Sequence, residues 1–140
     1  MSQENANGAK RGYAALNEAY RTGEFRAVIE EHFDPEIVFK PAGIMPEGSG
    51  EVRGHDELVA FTARQAEAFE DLSLKPERFI DAGNRVVVPL SLSGRARHSG
   101  IPIEISFVHT GTYRNGKAVR VEVHETLQEA LVAAGLSELE

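Results

Sequence analysis

The sequence predicts an α+β fold in which two or three helices precede a strongly bent antiparallel sheet. Three observations support this prediction. Apolar residues recur at helical spacing in the first half of the chain. Residues 101–113 alternate between apolar and mostly polar positions, which is typical of a long strand with one apolar face. Asn115-Gly116 follows directly, and this dipeptide is typical of a turn between antiparallel strands.

The N-terminal half divides into elements at its helix-breaking residues. We predict a disordered tail over residues 1–8 and a single domain over residues 9–140. The elements expected in this half are a helix from Ala9 to Thr22, a shorter helix that ends before Asp34-Pro35, a strand over Glu36–Lys40, a glycine- and proline-rich surface loop over residues 41–54, and a third helix that begins at Asp56.

The C-terminal half contains the long strands. Alternation and turn residues predict strands over Leu72–Asp81 and Arg85–Arg97, the long strand from Ile101, its returning partner up to Glu125, and a short helix capped by Gly135. In the second of these strands a proline, Pro89, predicts an edge or a bulge, because proline cannot donate to the ladder.

The register of the last hairpin decides which side chains share a face. A two-residue turn at Asn115-Gly116 would place Val121 opposite Thr110. A three-residue loop over residues 114–116 moves every side chain of the returning strand to the other face. We predict the three-residue loop because it matches the apolar rows. Its pairs are Val119, Val121 and Val123 opposite Gly111, His109 and Phe107, and Glu125 opposite Ile105.

This register sets two polar side chains, His109 and Glu125, into an otherwise apolar sheet face. An isolated polar group there costs on the order of 1–3 kcal/mol unless it is hydrogen-bonded. Either both residues have buried partners, or the face that they occupy is the wall of a cavity.

Composition and charge exclude several classes of function. The chain has 140 residues, 41% of them hydrophobic, and a formal net charge of −7 without a basic run, which argues against nucleic acid and membrane surfaces as partners. It has no cysteine, which excludes disulfides and thiolate chemistry. The first residues lack the apolar core of a secretory signal, and no apolar run has the length of a membrane span. We therefore expect a cytoplasmic protein.

The order of elements and several segments resemble the nuclear transport factor 2-like (ketosteroid isomerase-like) superfamily, and in particular its SnoaL-like members. The segments that carry the resemblance cover nearly the whole chain after Gly8: RTGEF, PEGSGEVRGHDEL, FEDLSLKPERFIDAGNRVVV, GRARHSG, YRNGKAVR and EALVAAGL. The resemblance implies a cone, in which a curved sheet wraps around the helices and leaves a mostly apolar pocket for a small apolar ligand. It also implies a homodimer through the outer sheet face.

The resemblance implies candidate catalytic positions, although the residues found there differ from the family pattern. Isomerase-like members carry a catalytic aspartate where this chain has Lys40, and their hydrogen-bonding acid lies mid-strand, where this chain has His109. Cyclases of the SnoaL type carry an aspartate in the last strand or just after it. The best acidic candidate here is Glu125, and Thr126 lies at the commonest position of that aspartate. The residues expected to line the pocket are Tyr13, Tyr20, Leu90, Leu92, Phe107 and Val121.

Each candidate has a structural alternative. His109 is either an acid or base that works near neutral pH, or a buried histidine bonded to a backbone carbonyl or a tyrosine. Glu125 either orients His109 or extends into solvent, and Lys40 either stabilises an oxyanion or extends to water from a strand end. Tyr13 and Tyr20 either donate to a ligand or pack with satisfied hydroxyls.

The sequence thus predicts a SnoaL-like protein with an apolar pocket and cofactor-free proton-transfer chemistry, as in an isomerase, a polyketide cyclase, a dehydratase or an epoxide hydrolase. The alternative is a binding protein or dimeric scaffold without chemistry. We expect no cofactor and no metal, because the five histidines show no ligand spacing with an acidic residue.

Overall fold

A computed structural model describes residues 2–41 and 50–136. The four helices in this part of the chain are α1 (Ser2–Thr22), α2 (Phe25–His32), α3 (Gly54–Ala68) and α4 (Leu127–Ala133). The seven strands are β1 (Phe33–Lys40), β2 (Val52–Arg53), β3 (Phe69–Pro76), β4 (Ile80–Ala82), β5 (Arg85–Ala96), β6 (Pro102–Arg114) and β7 (Lys117–His124). The α+β prediction is confirmed.

The seven strands form one curved, unclosed sheet in the order β2-β1-β7-β6-β5-β3, with β4 also paired to β5. All pairs are antiparallel except β1–β7, which is parallel. The fully antiparallel sheet that we predicted is therefore wrong at this one pair. These strands lie far apart in the sequence, so no hairpin turn encodes the direction in which they pair.

The hairpin between β6 and β7 corrects the predicted register. Arg114 pairs with Lys117, so Asn115-Gly116 forms a two-residue turn and the three-residue loop is wrong. Asn115 and Gly116 have φ angles of 54° and 81°, as a type I′ turn requires. The pairing then shifts by one residue, because Val119 lies unpaired in a bulge.

The bulge explains why the predicted faces are nevertheless correct. Beyond it, Val123 pairs with His109 and Val121 pairs with Gly111, two residues away from the predicted partners. A shift of two residues keeps each side chain on its face. The favoured turn and the apolar matching of the two strands are both satisfied, at the cost of one unpaired residue.

Two predicted boundaries change, and a third predicted segment lies mostly outside the described residues. Helix α1 begins at Ser2, so the part of the predicted disordered tail that the structure describes is helical, and Ala6 is buried. The strand predicted over Leu72–Asp81 is two strands, β3 and β4. Most of the predicted loop over residues 41–54, namely residues 42–49, lies outside the described residues.

The prediction for Pro89 is confirmed. Strand β3 pairs with β5 up to Leu90, and β4 pairs with β5 from Val87, so Pro89 lies in the gap between these two ladders. Neither β3 nor β4 pairs with β5 at this position, so no ladder hydrogen bond on that edge of β5 requires an N–H from Pro89.

Helix α4 packs on the outer face of the sheet, where it buries Val87 and Val108 against Ala130 and Leu131. Thr126 caps this helix by accepting a hydrogen bond from the backbone N–H of Glu129. The homodimer that we predicted through this face stays a prediction. Within the described residues, no helix is both long and apolar enough to span a membrane.

Candidate functional site

A cavity of about 130 Å³ lies between the inner sheet face and helices α1, α2 and α3. Most of its wall is apolar. Among the described residues, no aspartate, glutamate, lysine or arginine borders it. The aromatic residues that line it are Tyr13, Tyr20, Phe33, Phe39, Phe61, Phe107 and Tyr113.

His109 lies in the cavity wall at the middle of β6, between Val88 of β5 and Val123 of β7. The Tyr13 hydroxyl, on α1, is 2.7 Å from its Nδ1 atom. The two rings are nearly parallel, with centroids 5.9 Å apart and an interplanar angle of 18°. A short hydrogen bond inside the cavity therefore joins helix α1 to strand β6.

The environment of His109 keeps its imidazole neutral. The rings of Phe39 and Phe107 approach it with centroid distances of 6.3 and 5.3 Å. Burial among these rings, with a smaller effect from the charge of His124, lowers the pKa of His109 from 6.5 to about 4. The side chain remains half-buried because it borders the cavity.

Tyr13 fixes the position of the remaining imidazole proton. Burial, and then the neighbouring Tyr113, raise the pKa of Tyr13 well above its ordinary value. The phenol is therefore protonated, and among the described residues Nδ1 of His109 is the acceptor within reach of its O–H. We therefore assign the hydroxyl as the donor of this bond and the imidazole proton to Nε2. Within the described residues, no group accepts a hydrogen bond from Nε2. His109 thus presents an N–H donor without a protein partner.

A second hydrogen-bonded pair lines the cavity further along α1. The hydroxyl of Tyr20 donates to Oε1 of Gln65 on α3, at 3.2 Å. Burial raises the pKa of Tyr20 to about 12, so this phenol is also protonated. The nearby hydroxyl of Thr62 instead bonds carbonyl oxygens of its own helix, those of Leu58 and Val59.

Gly111 makes room for a third tyrosine. A Cβ atom at Gly111 would lie 3.0 Å from Cε1 of Tyr113, which follows two residues later on the same face. A side chain at residue 111 would require the ring of Tyr113 to move by a few tenths of an ångström. Burial raises the pKa of Tyr113 to about 12.

The structure brings most of the predicted pocket residues together around His109. The predicted residues that border the cavity with it are Tyr13, Tyr20, Leu92, Phe107 and Val121. Leu90 does not border it, although it shares a face with Leu92. It is 1% exposed and packs in the core, so that prediction is wrong.

Glu125 is not a partner of His109. It is exposed and lies beyond the end of β7, where its backbone N–H bonds Oε1 of Glu129. The predicted pairing opposite Ile105 is wrong, because β7 ends at His124 and the chain turns into α4. The alternative of a strand-end carboxylate in solvent describes this residue.

Lys40 also lies away from the cavity. Its neighbour Phe39 faces inward, and successive residues of a strand point to opposite faces. Its side chain is 42% exposed, with Nζ 3.8 Å from Oε2 of Glu51. Neither Lys40 nor Glu125 is among the residues that border the cavity.

Sequence reasoning missed four polar residues of the cavity, namely His32, Thr62, Gln65 and Tyr113. Gln65 and Tyr113 had a signal in the sequence. Gln65 falls on the inward row of α3 among apolar residues, and Tyr113 continues the inward row of β6. A polar side chain in an apolar row is equally compatible with a cavity wall and with a buried hydrogen-bond partner. In the described part of the chain, no three histidine, aspartate or glutamate side chains lie close enough to hold a metal ion.

Comparison with protein families gives one match, to a model described as a SnoaL-like domain, over residues 11–121. A comparison of the sequence with curated proteins gives no match.

Solved structures of the same shape cover nearly the whole chain. An NTF2-like protein of unknown function from Burkholderia pseudomallei K96243 is 27% identical, with 92% of this chain and 95% of that chain covered and a TM-score of 0.72. A protein with a ketosteroid isomerase-like fold from Catenulispora acidiphila DSM 44928 is 16% identical. The match covers 88% of this chain and 91% of that chain, with a TM-score of 0.67.

The epoxide hydrolase/cyclase-like enzyme SalBIII, with a role in pyran ring formation in the polyether salinomycin, is 18% identical, with 91% and 96% covered and a TM-score of 0.72. At these identities, this structure and the one from Catenulispora show the fold alone. The predicted nuclear transport factor 2-like fold is confirmed.

Proposed function

The chain belongs to the SnoaL-like domain family, and on that premise we propose that it binds a small, uncharged, mostly apolar molecule and assists proton transfer on an oxygen of that molecule without a cofactor. The observation that carries this proposal is the 2.7 Å hydrogen bond from Tyr13 to His109, in a cavity whose described wall has no carboxylate, lysine or arginine.

Cavity size and polarity support the ligand class. An apolar cavity of about 150 Å³ in another protein holds benzene, and the present cavity has about 130 Å³. A charged ligand would lose its hydration without gaining a carboxylate, lysine or arginine of the described wall as an ionic partner, which is costly. A neutral molecule of one ring, with an oxygen that accepts a hydrogen bond, fits both constraints.

The neutral imidazole supports a role as hydrogen-bond donor. With Nδ1 occupied by Tyr13, the Nε2–H of His109 is available to a carbonyl or ether oxygen of the ligand. Isomerisation, aldol-type cyclisation, dehydration and epoxide opening all develop negative charge on such an oxygen. A donor held in an apolar site stabilises that charge more strongly than water does.

The proton acceptor in such a reaction is water, the imidazole of His32 or a group of the substrate itself, since the described wall offers no carboxylate. For a ketone, the α C–H bond breaks and its proton goes to water, while Nε2–H holds the developing enolate oxygen. Reprotonation of the carbon from solvent returns the ketone.

The missing carboxylate also favours a second candidate function, a binding protein without chemistry. In that case the hydrogen bond between Tyr13 and His109 serves to orient the ligand. The two functions differ in one measurable respect, namely whether a bound ketone exchanges its α protons faster than the free ketone.

The experiment that tests the proposal is exchange of the methyl protons of acetophenone in D₂O, followed by NMR, together with binding by calorimetry. We expect binding and accelerated exchange, both lost in His109→Ala, with folding checked by circular dichroism. Glu125→Gln is the control and retains both. Binding without acceleration supports the binding protein, and absence of binding by ketones, lactones and epoxides contradicts both functions.

A further inference from the structure

We propose that the ligand carries two polar groups, and that the pair Gln65–Tyr20 recognises the second one, a hydroxyl at the end remote from His109. This inference rests on the proposed function, because it concerns the same cavity. It restricts the proposed class of ligand from small neutral molecules to those with a ring, an acceptor oxygen at one end and a hydroxyl at the other.

The spacing of two tyrosines on α1 separates the two polar pairs. Tyr13 and Tyr20 are seven residues apart, which is close to two helical turns, so they share one face of the helix. At 1.5 Å per residue, their Cα atoms are about 10 Å apart along the axis. Tyr13 bonds His109 on the sheet, and Tyr20 bonds Gln65 on α3.

Gln65 has unused hydrogen-bonding capacity. Its Oε1 accepts from Tyr20, which leaves two N–H donors on Nε2. Within the described residues, no acceptor is bonded to that nitrogen. An amide donor that faces an apolar cavity is unfavourable unless water or a ligand accepts from it. Thr62, which borders the same cavity, differs because its hydroxyl is already bonded within its own helix.

A hydroxyl matches this pair better than a second carbonyl does. The hydroxyl oxygen accepts from Nε2 of Gln65, and its proton is donated to the free lone pair of the Tyr20 oxygen. A carbonyl can make only the first of these bonds. Tyr20 also holds the Gln65 amide in one orientation, so the donor faces the ligand with little loss of side-chain freedom.

The test compares three probes, acetophenone, 4-methylacetophenone and 4-hydroxyacetophenone, of which the last two have nearly equal shape. Affinity is measured by calorimetry near pH 6.5, where the phenolic probe is neutral. We expect the hydroxyl compound to bind the unmodified protein about tenfold more tightly than the methyl compound, which is the effect of one neutral hydrogen bond.

Two variants assign that difference to the pair. Gln65→Met keeps the side-chain length without the amide, and it is expected to remove the tenfold preference for the hydroxyl compound over the methyl compound. Tyr20→Phe provides a second test that leaves Gln65 in place, and it is expected to reduce the preference. Circular dichroism and thermal unfolding establish that each variant folds.

The outcomes separate the two proposals. Equal affinities of the hydroxyl and methyl compounds for the unmodified protein overturn the second polar site and leave the proposed function standing. A tenfold preference that survives in Gln65→Met also overturns it. If none of the three probes binds, the proposed function fails for this ligand class, and the inference fails with it.

Discussion

Acidification tests the account of His109 quantitatively. The folded protein holds the pKa of His109 at about 4, against 6.5 for an ordinary histidine, mainly because the imidazole is buried among aromatic rings. Between these two pH values the unfolded chain binds a proton at this residue and the folded chain does not. The contribution of His109 to stability is therefore complete above pH 6.5 and is lost as the pH falls toward 4.

The size of the effect follows from the same two values. Each pKa unit corresponds to about 1.4 kcal/mol, so the interval between 6.5 and about 4 corresponds to roughly 3 kcal/mol. The slope cannot exceed about 1.4 kcal/mol per pH unit, since one proton is involved. A loss of this size is a substantial part of the 5–15 kcal/mol that is typical of a small protein.

The assay is urea unfolding at pH 7, 6, 5 and 4.5, for the unmodified protein and for His109→Gln. Glutamine can still accept from Tyr13 but does not titrate, so the difference between the two proteins isolates the imidazole. Carboxylates such as Asp34, whose pKa is lowered chiefly by a hydrogen bond from the backbone N–H of Glu36, titrate in both proteins and cancel. If the free energies of unfolding of the two proteins change with pH in parallel, the lowered pKa of His109 is refuted.

Three further predictions concern packing and the rejected candidates. Gly111→Ala is expected to lower the free energy of unfolding by about 1–3 kcal/mol, because the new Cβ atom contacts the Tyr113 ring. Gly50→Ala is the control, and it is expected to change that free energy by less than about 0.5 kcal/mol, because the space around Gly50 is open. Leu90→Ala is expected to cost about 2–5 kcal/mol in urea unfolding, because the side chain is wholly buried, and an effect below about 1 kcal/mol would contradict its place in the core. Glu125→Gln is expected to leave acetophenone affinity unchanged in calorimetry, and a tenfold loss would return this carboxylate to the site.

Alternation along the strands was enough to predict the fold class and the inward position of His109. It shows which side chains of one strand share a face, and a register that is wrong by two residues leaves them on that face. The hairpin shows the limit of this argument. The matching of apolar residues and the two-residue turn at Asn115-Gly116 favour registers that differ by one residue. The bulge at Val119 allows the hairpin to satisfy both preferences. Which residue becomes the bulge depends on the packing of the whole sheet, which no local pattern reports.

The candidate site was predictable where side chains follow the alternation and not where the chain leaves the sheet. Glu125 continues the inward row in sequence, but Thr126 caps α4 and ends the strand first. The contact between Tyr13 and His109 joins residues that are 96 positions apart. The sequence offered a tyrosine as one partner of this histidine, but the choice depends on how α1 lies across the sheet.

The largest difference between the prediction and the structure concerns the pKa of His109. A histidine that works near neutral pH was expected from the reference pKa of about 6.5. The cavity wall lowers that value, and it leaves a neutral donor instead of a base. This difference arises from burial by Phe39 and Phe107, which come from two different strands.

The most direct test of the central claim is ¹⁵N NMR of the His109 ring nitrogens from pH 7.5 to 4.5, with and without acetophenone. We predict that His109 stays neutral to about pH 4.5, with the proton on Nε2, and that the ligand shifts the Nε2 signal while Nδ1 remains bonded to Tyr13. Titration near pH 6.5, or a spectrum that no neutral ketone changes, would contradict a neutral donor that faces a ligand cavity.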